Sequence, residues 1–292
     1  MKQAVLLLAH GAPEKVEDVP EYLRYVRGGQ AVARGVLEEV EHRYREIGGG
    51  SPMLARTREQ AEALGARLAP VPVYFAMRNW HPFIRDVMER IQQDGVERIV
   101  AICLAPQYSK TSVGLYFRRV QEARQALGMQ VDVVWTKSFH DHPDLIAAFV
   151  ERLKAAHEGG KVLFTAHSLP TRILETGDPY DKEARNTARL VAEGAGLDDW
   201  DFAYQSQGMT AEPWLGPTVE SKLEEYAAAG VRSLTLHPIG FVSDHVEVVF
   251  DVDILFRRLA GERGIRLVRP ESLNSSPLFI EALAKVAAQR LV

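Results

Sequence analysis

The residues of this 292-residue chain best placed to do chemistry are a histidine and a glutamate far apart in sequence. His167 follows the apolar run Val162–Thr165 and precedes Ser168-Leu169-Pro170. A polar side chain just past a buried strand is where α/β proteins place functional groups. The other reading is a histidine that caps the next helix or satisfies a loop carbonyl. Glu247 closes the segment Gly240-Phe241-Val242-Ser243-Asp244-His245-Val246-Glu247, and Asp251 and Asp253 follow it. On a helix, Glu247 and Asp251 are four residues apart and share one face. Two carboxylates so placed repel unless a cation or proton traffic uses them; the alternative is a solvated acidic face. The neighbours Val246, Val248, Val249 and Phe250 are apolar and predict a half-buried helix. Buried carboxylates tend to be paired, ligated or shifted in pKa. One imidazole and one carboxylate suit a borderline divalent ion held loosely. His10 and His245 are possible additions, but no His-x-x-x-His spacing supports a permanent site, so a transit site for a metal fits better.

Short apolar runs must position these groups. They are Ala4–Ala9, Val71–Ala76, Ile99–Leu104, Val131–Trp135, Val162–Thr165, Phe202–Gln205, Ser233–His237 and Ile265–Val268. Continuous apolar strands alternating with helical patterns predict an α/β fold with parallel sheets covered on both faces. One helix opens at Pro82, carries Phe83, Val87 and Ile91 on one face and stops before Gly95. Another runs from about Val219 to Ala229, and a last one opens with Ser276-Pro277. Leu6-Leu7-Leu8-Ala9-His10-Gly11-Ala12-Pro13 resembles Leu163-Phe164-Thr165-Ala166-His167-Ser168-Leu169-Pro170. The repeat predicts two similar domains, 1–158 and 159–270, with residues 271–292 as a C-terminal helix packing back on the first. Ligands in open α/β sheets bind beyond the carboxyl ends of the strands. The repeat therefore predicts an interdomain cleft, with His10 on one wall and His167 on the other.

Composition excludes several classes. Hydrophobic residues make up 46% and charged residues 25%, the balance of an ordinary globular chain. A net charge of -4 argues against nucleic-acid binding, which goes with a basic excess. The single cysteine, Cys103, excludes a disulfide framework, a four-cysteine zinc site and a cysteine-ligated iron–sulfur cluster, and it fits a reducing cytoplasm. Its place in Ile99–Leu104 predicts a core residue. No apolar stretch approaches the ~20 residues that span a bilayer, so membrane contact is expected to be peripheral at most. No exposed apolar stripe is evident, which favours a monomer.

Beyond these readings, the chain resembles the ferrochelatases over essentially its full length. The motifs that carry the resemblance are Thr165-Ala166-His167-Ser168-Leu169-Pro170, the loop Gln205–Pro217 and Gly240–Glu247. Ile47-Gly48-Gly49-Gly50-Ser51-Pro52 and the turn Gly177-Asp178-Pro179-Tyr180 agree with it. The resemblance implies two Rossmann-like, chelatase-type domains with porphyrin bound between them. It implies His167 and Glu247 as the pair at the metal and Asp251 as the next residue of an acidic line, whose further position is Leu255 here. Iron(II) is then a substrate, with no permanently bound cofactor. Arg27, Arg43, Tyr44, Ser51 and Tyr116 match positions that hold the macrocycle or its propionates, although an adjacent arginine of that group is Gly28 here. His10 stands where the Gram-positive type commonly has tyrosine, and as an iron ligand it would cap the product haem. The short form without extra cysteines looks like the bacterial type whose substrate is often coproporphyrin III rather than protoporphyrin IX.

The mechanism this implies begins with the two pyrrole N–H protons that must leave a free porphyrin as iron enters. Bending the ring from its rim turns the nitrogen lone pairs outward. His167, with an ordinary pKa near ~6.5, is suited to accept a pyrrole proton. Glu247 would bind iron or carry protons away, and Asp251 would extend that route. The competing expectations are a chelatase for another tetrapyrrole, of the sirohydrochlorin type, and a non-catalytic porphyrin or haem carrier. Retention of both His167 and Glu247 argues against the carrier, which needs only one axial ligand.

Overall fold

The computed structural model describes residues 1–208 and 210–292; Met209, inside the Gln205–Pro217 motif, lies outside the described residues. The chain divides into two compact units, Met1–Phe139 with Asn274–Val292, and His140–Leu273. The first unit runs through β1 (Gln3–Ala9), a 3-10 turn (Val16–Asp18), α1 (Val19–Val26), α2 (Arg34–Glu46), α3 (Met53–Leu68), β2 (Val73–Met77), α4 (Ile84–Gln93), β3 (Arg98–Cys103), α5 (Val113–Ala126) and β4 (Asp132–Thr136). The second contains α6 (Pro143–Ala156), β5 (Lys161–His167), α7 (Arg172–Glu175), α8 (Tyr180–Ala195), β6 (Trp200–Gln205), α9 (Val219–Ala228), β7 (Ser233–Pro238), α10 (Val246–Val249), a π-helical turn (Asp251–Phe256), α11 (Arg257–Glu262) and β8 (Arg266–Val268). The chain ends in α12 (Pro277–Ala288).

The boundary expected at 158 falls at 139/140, because α6 packs on α8 and so belongs with the second sheet. The C-terminal segment expected from 271 begins at Asn274, and α12 lies against α3 in the first unit. Each of the eight expected strands is present within two residues of its expected bounds.

Both sheets are parallel and share one topology, β2-β1-β3-β4 and β6-β5-β7-β8. Such sheets bury both faces, which is why the central strands read as unbroken apolar runs. Ala4, Val5, Leu6, Leu7 and Leu8 of β1 are all fully buried. On one face Ala4, Leu6 and Leu8 pack with Ile84, Val87, Met88 and Ile91, the i, i+3, i+4, i+7 stripe of α4, and with Val113 and Val120 of α5. In the second unit Leu163, Leu234 and Leu236 pack with Val219 and Leu223 of α9 and with Val252 and Phe256 of the π turn. Cys103 is buried at the end of β3, and burial pushes its thiol pKa up. Among the described residues, no helix is long and apolar enough to cross a membrane.

In each sheet the chain steps from the central strand to one side and then returns to the other. The connections after β1 and β3, and those after β5 and β7, therefore leave the carboxyl edge in opposite directions, the position where such sheets place ligands. His10 immediately follows β1, and His167 is the last residue of β5.

Leu6→Ala removes a fully buried side chain from the middle of the first sheet and is expected to lower the free energy of unfolding by about 2–5 kcal/mol. An earlier urea transition followed by far-UV circular dichroism would register it.

Candidate active site

The loop after β7 is pressed onto the end of β5. A Cβ on Gly240 would lie 2.7 Å from Ala166 Cα and 2.8 Å from its Cβ, so only glycine permits the approach. The Gly240 N–H donates to Thr165 O at 3.1 Å. The approach carries Phe241, His245 and Glu247 to His167. His167 Nε2 lies 3.4 Å from Glu247 Oε1, and the two side chains are 30% and 35% exposed. The other carboxylate oxygen, Oε2, lies 3.3 Å from His245 Nε2, and His245 is buried. Phe241 stands edge-on to His167, with ring centroids 6.4 Å apart, and 4.6 Å from the His245 ring.

Supporting bonds hold these groups. Tyr180 Oη donates to His167 O at 2.8 Å. Gln205, the last residue of β6, donates from Nε2 to Glu247 O at 2.9 Å and accepts from Thr165 Oγ1 at 2.6 Å. Ser206 donates to Asp251, which is 3% exposed. His167 Nδ1 faces Ser168 O, and His245 Nδ1 lies 2.9 Å from Ser243 O. A carbonyl oxygen cannot donate, so Nδ1 is the protonated nitrogen of each ring. Both Nε2 atoms then point lone pairs at the Glu247 carboxylate when the rings are neutral. That arrangement repels unless protons, or a cation, occupy the space between.

The pKa shifts agree. Burial alone pulls the His167 pKa down, but the charge and hydrogen bond of Glu247 outweigh it, with help from Ser168 O and Asp251, and hold it above the ordinary 6.5. Burial pushes Glu247 up, yet His167 and His245 together hold its carboxyl well below the ordinary 4.5.

The helix expected to carry Glu247 and Asp251 on one face is not a regular α-helix. α10 ends at Val249, and a π turn begins at Asp251, where Leu255 N reaches back five residues to Phe250 O at 2.9 Å. Single π turns widen a helix locally and cluster at functional sites. Asp253 is not a free acidic group. It accepts two bonds from Arg269, at 2.8 and 2.7 Å.

The remaining sequence candidates lie in the first unit. His10 Nδ1 faces Gly11 O at 3.1 Å and the Tyr22 hydroxyl at 3.3 Å, while Asn79 Nδ2 lies 3.0 Å from its Nε2. Arg27 caps the end of α1 and is exposed. Arg43 on α2 pairs with Glu39 at 2.8 Å, and Tyr44 beside it is 1% exposed. Ser51 Oγ accepts from Met53 N at 3.3 Å where α3 begins. Tyr116 on α5 is buried, with the Arg78 guanidinium 4.7 Å from its ring centroid. The structure thus joins His167, Glu247 and Asp251 with His245 into one constellation, and the first-unit residues are spread over β1, α1, α2, α3 and α5 or their ends. Asn79 escapes sequence reasoning altogether. It meets His10 because β2 and β1 are neighbours, with Met77 opposite Ala9.

Two outcomes follow. Gly240→Ala is expected to force β5 and the Phe241–Glu247 segment apart at a cost of about 1–3 kcal/mol, read in chemical denaturation together with loss of the His167–Glu247 contact. For the pair itself, the raised His167 pKa adds stability that is complete below 6.5 and lost as pH rises through the folded value, and the lowered Glu247 pKa adds stability that is complete above 4.5 and lost as pH falls. The pair is therefore strongest between those two values. Glu247→Gln removes the charge that raises His167, so the imidazole should titrate at lower pH in NMR.

Comparison with known proteins agrees with this architecture. The ferrochelatase family model matches residues 2–291. A curated ferrochelatase of Acidobacterium capsulatum is 46% identical, over 99% of this chain and 95% of its own length. A coproporphyrin III ferrochelatase of a Geobacillus species is 36% identical, over 99% of this chain and 98% of its own. Among solved structures, the sirohydrochlorin chelatase SirB of Bacillus subtilis in complex with cobalt superposes with a TM-score of 0.65 at 12% identity, covering 99% of this chain and 95% of that one, a likeness of fold. With the family model spanning almost every residue, the chain belongs to the ferrochelatase family, whose members insert metal into porphyrin.

Proposed function

We propose that this protein inserts iron(II) into coproporphyrin III in preference to protoporphyrin IX, with His167 as acceptor of the pyrrole protons and Glu247 as the group that receives iron or passes protons on. The observation that carries the proposal is the His167 Nε2–Glu247 Oε1 approach of 3.4 Å at the carboxyl edge of the second sheet. The choice of coproporphyrin is supported by the coproporphyrin III ferrochelatases among the relatives, at 36% identity. It is supported too by the arginines Arg27 and Arg43, since guanidinium groups suit planar recognition of propionates.

The steps follow from the chemistry of the groups. Iron entry expels two protons from the pyrrole nitrogens. A ring held bent presents those nitrogens' lone pairs and N–H bonds out of plane, with the strain drawn from binding energy elsewhere on the macrocycle. His167 Nε2 accepts a proton because its Nδ1 is already committed to Ser168 O. Glu247 stabilises the imidazolium that forms, and Asp251, bonded to Ser206, continues the acidic route behind it. In this reading iron is a passing substrate, and the protein holds no permanent cofactor and no iron–sulfur cluster. His10, Arg27, Arg43, Tyr44, Ser51 and Tyr116 contact the porphyrin. The protein acts as a cytoplasmic monomer, needs no nucleic acid and touches membranes at most peripherally.

Anaerobic iron insertion with the two porphyrins side by side, followed by loss of free-porphyrin fluorescence, tests the assignment. Faster turnover of coproporphyrin III is expected, and preference for protoporphyrin IX would overturn the choice. His167→Ala should lose insertion while still binding porphyrin, seen as quenching of protein fluorescence. Activity close to wild type in that variant would remove His167 from the chemistry.

A further inference from the structure

Arg269 follows β8, outside every motif that marks the family resemblance, and it is a half-buried, heavily bonded cation. Its side chain is 13% exposed. Nε and Nη2 grip the two carboxylate oxygens of Asp253 at 2.8 and 2.7 Å. Nη1 reaches Asp244 Oδ1, Ser272 Oγ and Pro270 O, each at 3.3 Å. Ser272 Oγ itself donates to Asp244 Oδ1 at 2.8 Å. Asp253 has one further cation, Arg257, at 3.4 Å, and that side chain is 53% exposed.

The two carboxylates that Arg269 joins bracket the functional segment. Asp244 immediately precedes His245, and Asp253 lies in the π turn two residues beyond Asp251. Between them run His245, Glu247 and Asp251. A π turn is a poor self-supporting element, because its widened ring gives less favourable packing along the axis. An external brace that ties both ends to the edge strand compensates for that.

We infer that Arg269 is a positioning residue for metal insertion: by bonding Asp244 and Asp253 at once, it sets the spacing of His245 and Glu247 against His167. The inference rests on the assignment of His167 and Glu247 made above. A lysine retains the charge but cannot form the planar, three-sided set of bonds. Removing the guanidinium also leaves two carboxylates near one another with their shared cation gone.

The test compares wild type, Arg269→Lys, Arg269→Ala and Arg257→Gln in anaerobic iron insertion, with rates expressed per folded molecule. Porphyrin KM should stay unchanged in Arg269→Lys while kcat falls about 10–100-fold, the usual cost of losing a partner that orients metal-handling groups. Added guanidinium ion should restore part of kcat in Arg269→Ala, and Arg257→Gln should behave as wild type. A purely structural brace for β8 would instead lower the folded fraction and leave kcat per folded molecule intact, which would overturn the inference. So would a wild-type kcat in Arg269→Lys. Should the Arg269 variants fail to fold, the near-isosteric Asp253→Asn carries the same comparison. A wild type that inserts no iron into either porphyrin would bring down the functional reading and this inference with it; an active wild type beside an unaffected Arg269→Lys would bring down this inference alone.

Discussion

The Glu247 carboxylate lies between two imidazoles whose δ nitrogens are already committed to backbone carbonyls. The ε nitrogens are thereby left facing one carboxylate, an arrangement that is stable only with protons or a cation in the intervening space. The fold serves that constraint. Gly240 lets the β7 loop close on β5, Gln205 holds the Glu247 backbone, and Tyr180 holds the carbonyl of His167. Each of these contacts fixes an approach of a few ångströms between groups 13 or more residues apart.

The duplicated architecture gives two equivalent histidines different partners. His10 and His167 follow the central strands of sheets with the same order, and each points Nδ1 at the carbonyl of the next residue. Their ε nitrogens differ. An amide, from Asn79, meets His10, whereas a carboxylate, from Glu247, meets His167. The carboxylate holds the His167 pKa above its ordinary value. The difference lies in what the next strand's loop delivers: Asn79 follows β2, and Glu247 lies in α10 beyond β7.

The π turn after α10 departs from regular helix and decides where its acidic side chains go. It buries Asp251 against Ser206, while Asp253 turns to Arg269. Three acidic residues that read alike along the chain thus have three fates. Glu247 meets imidazoles, Asp251 a hydroxyl and Asp253 a guanidinium. Local charge density predicts none of this, because the partners come from β6, from beyond β8 and from the β5 edge.

What the sequence by itself determined is the part governed by local patterning. Eight apolar runs marked eight parallel strands, clearest at the central β1, β3, β5 and β7, because a strand covered on both faces must be apolar throughout. The strand-end positions of His10 and His167, the glycine-led segment to Glu247 and the core placement of Cys103 were legible for the same reason. Tertiary structure alone decided the rest. The unit boundary moved to 139/140 because α6 buries its face on α8, a preference that the sequence repeat does not carry. The pairing of His167 with Glu247, of Asn79 with His10 and of Arg269 with both Asp244 and Asp253 depends on side chains meeting across strands and loops. Sequence spacing carries periodicity along one element, but it does not carry the distance between two elements. That distance is set only when the whole core packs.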